Sequence, residues 1–176
     1  IDLVTVYYVE VESLTGNTDS SIISNVGGSP TLTGLDHLEG EEVDVKADGA
    51  YQGKFIVTGG EITITRDADI IEAGLTYSPL IVTMPLNIGL QNGPNAASKK
   101  KILRAAIQLF ESNGIIVNGQ RLADKTIGVN QFNAPEPQTG FKRITLLGWS
   151  LEAQITITQT TPFDMTILSI GQEVKG

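Results

Sequence analysis

Glu42-Val43-Asp44-Val45-Lys46-Ala47-Asp48-Gly49-Ala50-Tyr51-Gln52-Gly53-Lys54-Phe55-Ile56-Val57-Thr58-Gly59-Gly60-Glu61-Ile62-Thr63-Ile64 decides the fold class. Three short runs alternate apolar and polar residues, around Val43 and Val45, around Phe55 and Val57, and around Ile62 and Ile64. A period of two puts successive side chains on opposite faces, which suits a half-buried strand and not a helix. Between the runs stand Asp48-Gly49 and Gly59-Gly60. Such pairs tolerate the left-handed backbone that a two-residue hairpin turn demands. Antiparallel strands spaced this closely predict a small β-barrel or sandwich.

Outward from this stretch the same signals recur. Leu3–Glu12 alternates and reads as a strand rich in β-branched and aromatic residues. Ser13–Ser29 is polar and glycine-rich and reads as a long loop, a functional or partner-held segment. Asp69–Gly74 continues the strand pattern. Ser78–Leu86 reads as a strand whose Pro79 and Pro85 suit an edge or strand termini, and Asn87–Asn95 as a turn-rich loop. Ser98–Ser112 reads as the one helix, capped by Ser98. Its stripe is Ile102, Leu103, Ala106, Ile107 and Phe110, and Asn113-Gly114 stops it. Ile115–Val117 is a short strand turned by Asn118-Gly119, Asn130–Gly140 a loop, and Phe141–Leu147, Leu151–Thr158 and Asp164–Ile170 further strands. The expected architecture is mainly β. A small antiparallel barrel at 34–76 lies in or next to a β-sandwich-like domain at 77–176 with one helix at about 98–112, after an N-terminal strand and loop at 1–33.

Composition limits the chemistry. Charged residues make up 18% of the 176-residue chain, below the usual ~25%. The formal net charge of −8 argues against gripping DNA, which requires Lys and Arg to neutralise phosphates. It suits a wall that a polyanion slides past. With no cysteine there is no disulfide, thiolate metal site or Cys nucleophile. No apolar run reaches the ~18 residues of a membrane span. The chain begins at Ile1 and not at Met, so it reads as a piece of a longer protein.

No catalytic, cofactor-binding or metal-ligating set emerges. His37 is a single histidine without cysteines to complete a zinc site and reads as structural. Asp36, Glu39, Glu41, Glu42 and Asp44 crowd together without the spacing of a calcium loop. They read as a solvated turn and an edge charged against stray pairing. Any two of them make a formal glycosidase pair, but spacing along the chain does not establish the separation that chemistry needs. Phosphate-loop and serine-elbow patterns are missing. Lys99, Lys100 and Lys101 form the single basic run and are candidates for inter-subunit contact.

Gly34-Leu35-Asp36-His37-Leu38-Glu39-Gly40 followed by Glu41–Gly49 resembles a signature of phage tail proteins often described as carrying a domain like the first catalytic cysteine half-domain of ubiquitin-activating enzymes. Further pieces follow in order: Val57–Ile64 with Gly59 and Gly60, Ala73-Gly74-Leu75-Thr76-Tyr77, Thr83-Met84-Pro85-Leu86, Lys101–Gly114 as the family's helix, and Pro162–Leu168. The signature positions are Leu35, Asp36, His37, Leu38, Gly40, Asp48, Gly49, Gly59, Gly60, Gly74, Leu75 and Pro85. The chain thus resembles the tail-nozzle (tail tubular, stabilisation) subunits of podovirus-type, short-tailed bacteriophages over roughly residues 34–172, with a poor match before that. The resemblance implies a non-enzymatic virion protein of the phage tail that takes no cofactor. It implies a homo-oligomer, expected as a hexameric ring, meeting adaptor and fibre proteins while DNA passes without being held. The ubiquitin-enzyme likeness concerns shape only, since no cysteine is present. Other readings are a baseplate hub or fibre-attachment module, a tail-associated glycan hydrolase, and a cell-derived β-rich adhesin.

Overall fold

The computed structural model describes residues 16–86, 89–90, 93–94, 99–123, 133–146 and 148–175. The expected strand at Leu3–Glu12 and the expected cap Ser98 lie outside them. The chain is mainly β, with several antiparallel sheets, and it divides into two compact units. Ile1–Tyr77 and Ile127–Pro135 form the first; Ser78–Thr126 and Glu136–Gly176 form the second.

The first unit holds β1 (Asp19–Thr33), a 3-10 turn at Asp36–Leu38, β2 (Glu42–Ala47), β3 (Ala50–Ile56) and β4 (Glu61–Leu75). They form one antiparallel sheet in the order β1-β4-β2-β3. Among the described residues no ladder joins β1 to β3, so these pairings leave two edges and do not close the expected barrel. The turns behave as their residues require. Asp48 and Gly49 both have positive φ, 47° and 75°, between the paired Ala47 and Ala50. Gly59 and Gly60 do the same between the bridged Thr58 and Glu61. The two alternating runs Glu61–Thr65 and Asp69–Gly74 are one continuous strand.

The core of this unit joins Leu32, Leu35, Leu38, Val43, Val45, Val57, Ile62, Ile64 and Ile71. Each such side chain contributes roughly 1.5–3 kcal/mol on leaving water. The other face of the sheet carries a covered polar layer. Lys46 and Glu72, cross-strand partners, form an ion pair at 2.7 Å with Glu72 almost fully buried. Asn17 N donates to Glu72 at 2.6 Å, and Tyr51 Oη donates to Asp44 at 2.6 Å.

Ser13–Ser29 is not a loop over its described part. From Asp19 it is strand β1, paired with β4. Gly27 and Gly28, at φ 62° and 80°, sit where the register shifts between Asn25 and Ser29. Left-handed glycines there make a bulge, which bends a strand without ending it.

The second unit holds β5 (Leu80–Val82), β6 (Gly89–Leu90), β7 (Gly93–Pro94), β8 (Lys101–Ser112), β9 (Ile115–Val117), β10 (Gln120–Arg121), β11 (Gln138–Thr145), β12 (Thr156–Gln159) and β13 (Thr166–Lys175). One sheet runs β10-β9-β12-β5, another β11-β8-β13, and β6 pairs with β7. β5 is an edge strand, as its flanking prolines predict. Ala105, Ile107 and Leu109 of β8 share one core with Ile115 and Val117 of β9 and Ile157 of β12. Two sheets over one core make this unit sandwich-like.

The expected helix at 98–112 is overturned, because Lys101–Ser112 is strand β8, flanked on both sides by β11 and β13. Helical packing would bury Leu103, Ala106 and Phe110 together. In the strand Leu103 and Ala106 are half-buried and Phe110 is 46% exposed, while Ala105, Ile107 and Leu109 alternate into the core. Helix-favouring Ala, Leu, Gln and Glu are overridden by two ladders of pairing. The loop expected to run to Gly140 ends earlier, since Gln138–Gly140 belong to β11.

A Cβ added at Gly74 would lie 2.6 Å from Thr18 Oγ1, 2.7 Å from Asp19 O and 2.9 Å from Ser21 Cα. Gly74→Ala is therefore expected to lower stability by roughly 1–3 kcal/mol, read as an earlier urea midpoint at an unchanged slope.

Candidate functional site

In the first unit the structure gathers most of the signature residues around the turn at 36–38. Leu35 and Leu38 are fully buried and anchor this turn in the core. Leu35 N donates to Gly60 O at 2.9 Å, and Gly40 N to Val57 O at 3.1 Å. Glu39 then reaches the neighbouring hairpin: its carboxylate accepts from Gly60 N at 2.7 Å and Gly59 N at 3.0 Å. Those two N–H groups, Gly60 first, hold the Glu39 carboxyl below its ordinary value. Gly60 also lies under Asp36, where a Cβ would come within 2.5 Å of Asp36 Oδ1. His37 Nε2 is 3.0 Å from Ser20 O and joins the 3-10 turn to β1.

Asp48 performs a second tie. Its Oδ1 accepts from Asp69 N at 2.9 Å and Ile70 N at 3.0 Å, and Arg66 Nη1 lies 3.2 Å from its Oδ2. The Ile70 N–H lowers its pKa most, with Asp69 and Arg66 adding to this against partial desolvation. Gly74 and Leu75 close β4 against the start of β1, where Leu75 pairs with Asp19. Of the acids, Glu39, Glu41 and Glu42 are exposed, while Asp44 is buried and bonded to Tyr51. Among the described residues no group of three or more His, Asp or Glu side chains is placed to hold a metal ion.

Pro85 and the lysines belong to the second unit. Pro85 is exposed, Lys99 is exposed and Lys101 begins β8 half-buried. Lys100 departs from its expected role in subunit contact. It is 2% exposed and its Nζ donates to Leu86 O at 2.8 Å. The helical reading put it on a solvated first turn; the strand bridge Lys100–Ser150 turns it inward.

Beside Lys100 lies an open pocket of about 520 Å³, lined by Trp149, Leu151, Asn118, Glu152 and Gln154 among others. Sequence reasoning missed it. The one available signal was the single tryptophan, Trp149, next to Gly148 at φ 105°. Its polar lining is largely engaged within the fold, since Asn118 Oδ1 accepts from Thr156 N and Gln154 Nε2 donates to Thr83 O.

The second feature that sequence reasoning missed is the outward face of β11-β8-β13. Phe110, Phe141 and Leu168 stand 46%, 63% and 57% exposed there. Phe141 pairs with Gln108, two residues from Phe110, so the two rings project from one side. Leu168 occupies a register shift between Ile167 and Ser169. No helix among the described residues is long and apolar enough to cross a membrane. A scan against protein-family models finds no match for this chain, and neither does a search of curated proteins.

Because Glu39 and Asp48 have lowered folded pKa values, the stability they add is present above the ordinary carboxylate range. It is lost as pH falls through their folded values. Urea unfolding between pH 7 and pH 3 should show an acid limb of falling stability. Glu39→Gln should flatten that limb, and a limb identical to the wild type would remove the role given to the Gly59-Gly60 clamp.

Proposed function

We propose that this chain is a virion structural protein, a ring-forming subunit of a bacteriophage tail nozzle through which DNA passes. The observation that supports the reading is the kind of work its signature residues do. Leu35 and Leu38 fill the core, Gly59 and Gly60 make a left-handed turn that receives Glu39, Asp48 and Gly49 make another, and Gly74 lets β1 pass closely. An ordered series of motifs spent on holding strands together is what a rigid building block uses.

The chemistry of the surface agrees with this. The formal charge of −8 disfavours adhesion to a polyanion, so DNA inside a ring of such subunits is repelled and not gripped. Closed symmetry repeats these charges around the axis. The exposed aromatic face of β11-β8-β13 provides lateral surface of the sort an assembly covers.

An antibody raised against the chain should label the tails of intact virions, and images of those tails should show it as a closed ring around a channel. Label on the capsid alone, or on free host protein, would remove the reading. Fluorescence anisotropy with duplex DNA at low salt should give no saturable binding at about 10 µM protein, a concentration that detects ordinary non-specific binders. Tight, steeply salt-dependent binding would contradict passage without adhesion.

A further inference from the structure

The two units carry opposite charge. Ile1–Tyr77 with Ile127–Pro135 holds 14 acidic and 3 basic side chains, a net of −11. Ser78–Thr126 with Glu136–Gly176 holds 6 acidic and 9 basic, a net of +3, and together they give the −8 of the chain. A division of that size within one chain favours contact between unlike units of different copies and opposes contact between like ones.

Each unit also exposes an apolar anchor bordered by its own sign of charge. In the second unit the outward face of β11-β8-β13 carries Phe110, Phe141 and Leu168. Arg143 pairs with Ala106 and Arg104 with Thr145, so both guanidinium groups project from the side that bears Phe141. Both arginines are exposed, and Arg104 makes one long ion pair with Glu173 at 3.5 Å. Among the described residues of the first unit the most exposed large apolar side chain is Ile56, at 65%, at the end of edge strand β3. Its cross-strand partner is Glu42, which Lys54 holds at 3.1 Å. Glu41, whose carbonyl accepts from Val57 N, and Glu61, bridged to Thr58, flank the same end and are exposed.

We propose that copies of this chain associate head to tail, the Phe110–Phe141–Leu168 face of one copy receiving the acidic rim around Ile56 of the next. The inference rests on the reading of the chain as an assembling subunit and names the surfaces that reading needs. The two patches differ, so the contact is heterologous and builds rings or open chains, not two-fold dimers. Apolar anchors supply attraction, and the flanking charges set which end meets which. Over the 8 residues of β11 the three strands present a flat area of roughly 400 Å², well under the ~800 Å² per partner of a standard stable complex. A single contact is therefore weak and salt-sensitive, and closure of a ring holds the assembly.

The test uses the full chain in sedimentation velocity at micromolar concentration. One variant, Phe141→Glu with Arg143→Glu, disables the sheet face; another, Ile56→Lys with Glu61→Lys, disables the acidic rim. All four positions are exposed, and the milder Phe141→Ser and Ile56→Ser repeat the test for any variant whose β signature in circular dichroism is lost. Wild-type chain is expected to associate beyond dimers and to dissociate in about 0.5 M salt, where screening is nearly complete beyond a few ångströms. Each variant alone is expected to associate at least tenfold more weakly. Mixed together at about a hundredfold higher concentration, where one unclosed contact is populated, they should form one-to-one dimers and nothing larger, because each pair retains one intact contact. Wild-type chain that stays monomeric, a variant that associates like wild type, or a mixture that forms no dimer overturns the proposal. A sheet-face variant that still closes rings removes this contact and leaves the nozzle reading standing. Virion tails that carry no label remove that reading and leave the contact untouched.

Discussion

Strand register in the first unit depends on Asp48. Its backbone takes the left-handed turn with Gly49 that closes β2 onto β3, and its carboxylate accepts the N–H groups of Asp69 and Ile70 from β4. One residue therefore aligns three strands. A slip of one position exposes Val43, Val45 and Ile71 and drives Asp44, Lys46 and Glu72 into the core, since the side-chain period is two. Arg66 supports the arrangement by donating to Ala47 O at 2.7 Å while facing Asp48. Glu39 does the corresponding work at the other end of the sheet, clamping the Gly59-Gly60 turn. Both ties are charge-assisted hydrogen bonds to backbone donors, stronger than neutral ones.

With register held, the polar side of the sheet becomes affordable to bury. Lys46 and Glu72 pair beneath Asn17 and Thr18, and Tyr51 bonds to Asp44. A buried ion pair adds little net stability, but losing one member leaves an uncompensated charge at a cost of several kcal/mol. The layer therefore specifies where β1 begins more than it strengthens the unit. In the second unit the division is different. Its sandwich buries one face of β8 and leaves the other, with Phe110 and the neighbouring Phe141, in solvent. The exposed side of this sheet sets Phe110 and Phe141 beside two exposed arginines, Arg104 and Arg143.

Much of the first unit was legible beforehand because its determinants are local. Asp48-Gly49 and Gly59-Gly60 there, like Asn118-Gly119 in the second unit, each announced a tight turn, and each has two positive φ values. The alternation at Val43/Val45 and Ile62/Ile64 placed those residues correctly in the core. Two readings failed for a shared reason. Ile102, Leu103, Ala106, Ile107 and Phe110 fit a helical stripe, and the glycine-rich Ser13–Ser29 fits a loop. Each is a strand because of partners far along the chain: β8 is paired by β11 and β13, and β1 by β4. Lys100 was misplaced as a consequence of the first failure, since a strand bridge to Ser150, and not a helix turn, sets its direction. The motif series named residues that hold the fold, but it did not reveal the face formed by Phe110, Phe141 and Leu168, which lie on three strands.

By itself the amino-acid sequence determined a mainly β chain with its tight turns in place, an acidic balance, and no cysteine chemistry. Those properties follow from side-chain period, from backbone freedom at particular glycines and asparagines, and from a count of charges, none of which needs a partner. The tertiary structure alone decided that Lys101–Ser112 is a strand, that Lys100 is buried, and that one unit is net acidic and the other net basic, with Phe110, Phe141 and Leu168 exposed on one sheet of the second. Those outcomes depend on which distant segments pair, because a strand's exposed groups and buried face are defined by its neighbours and not by its own residues.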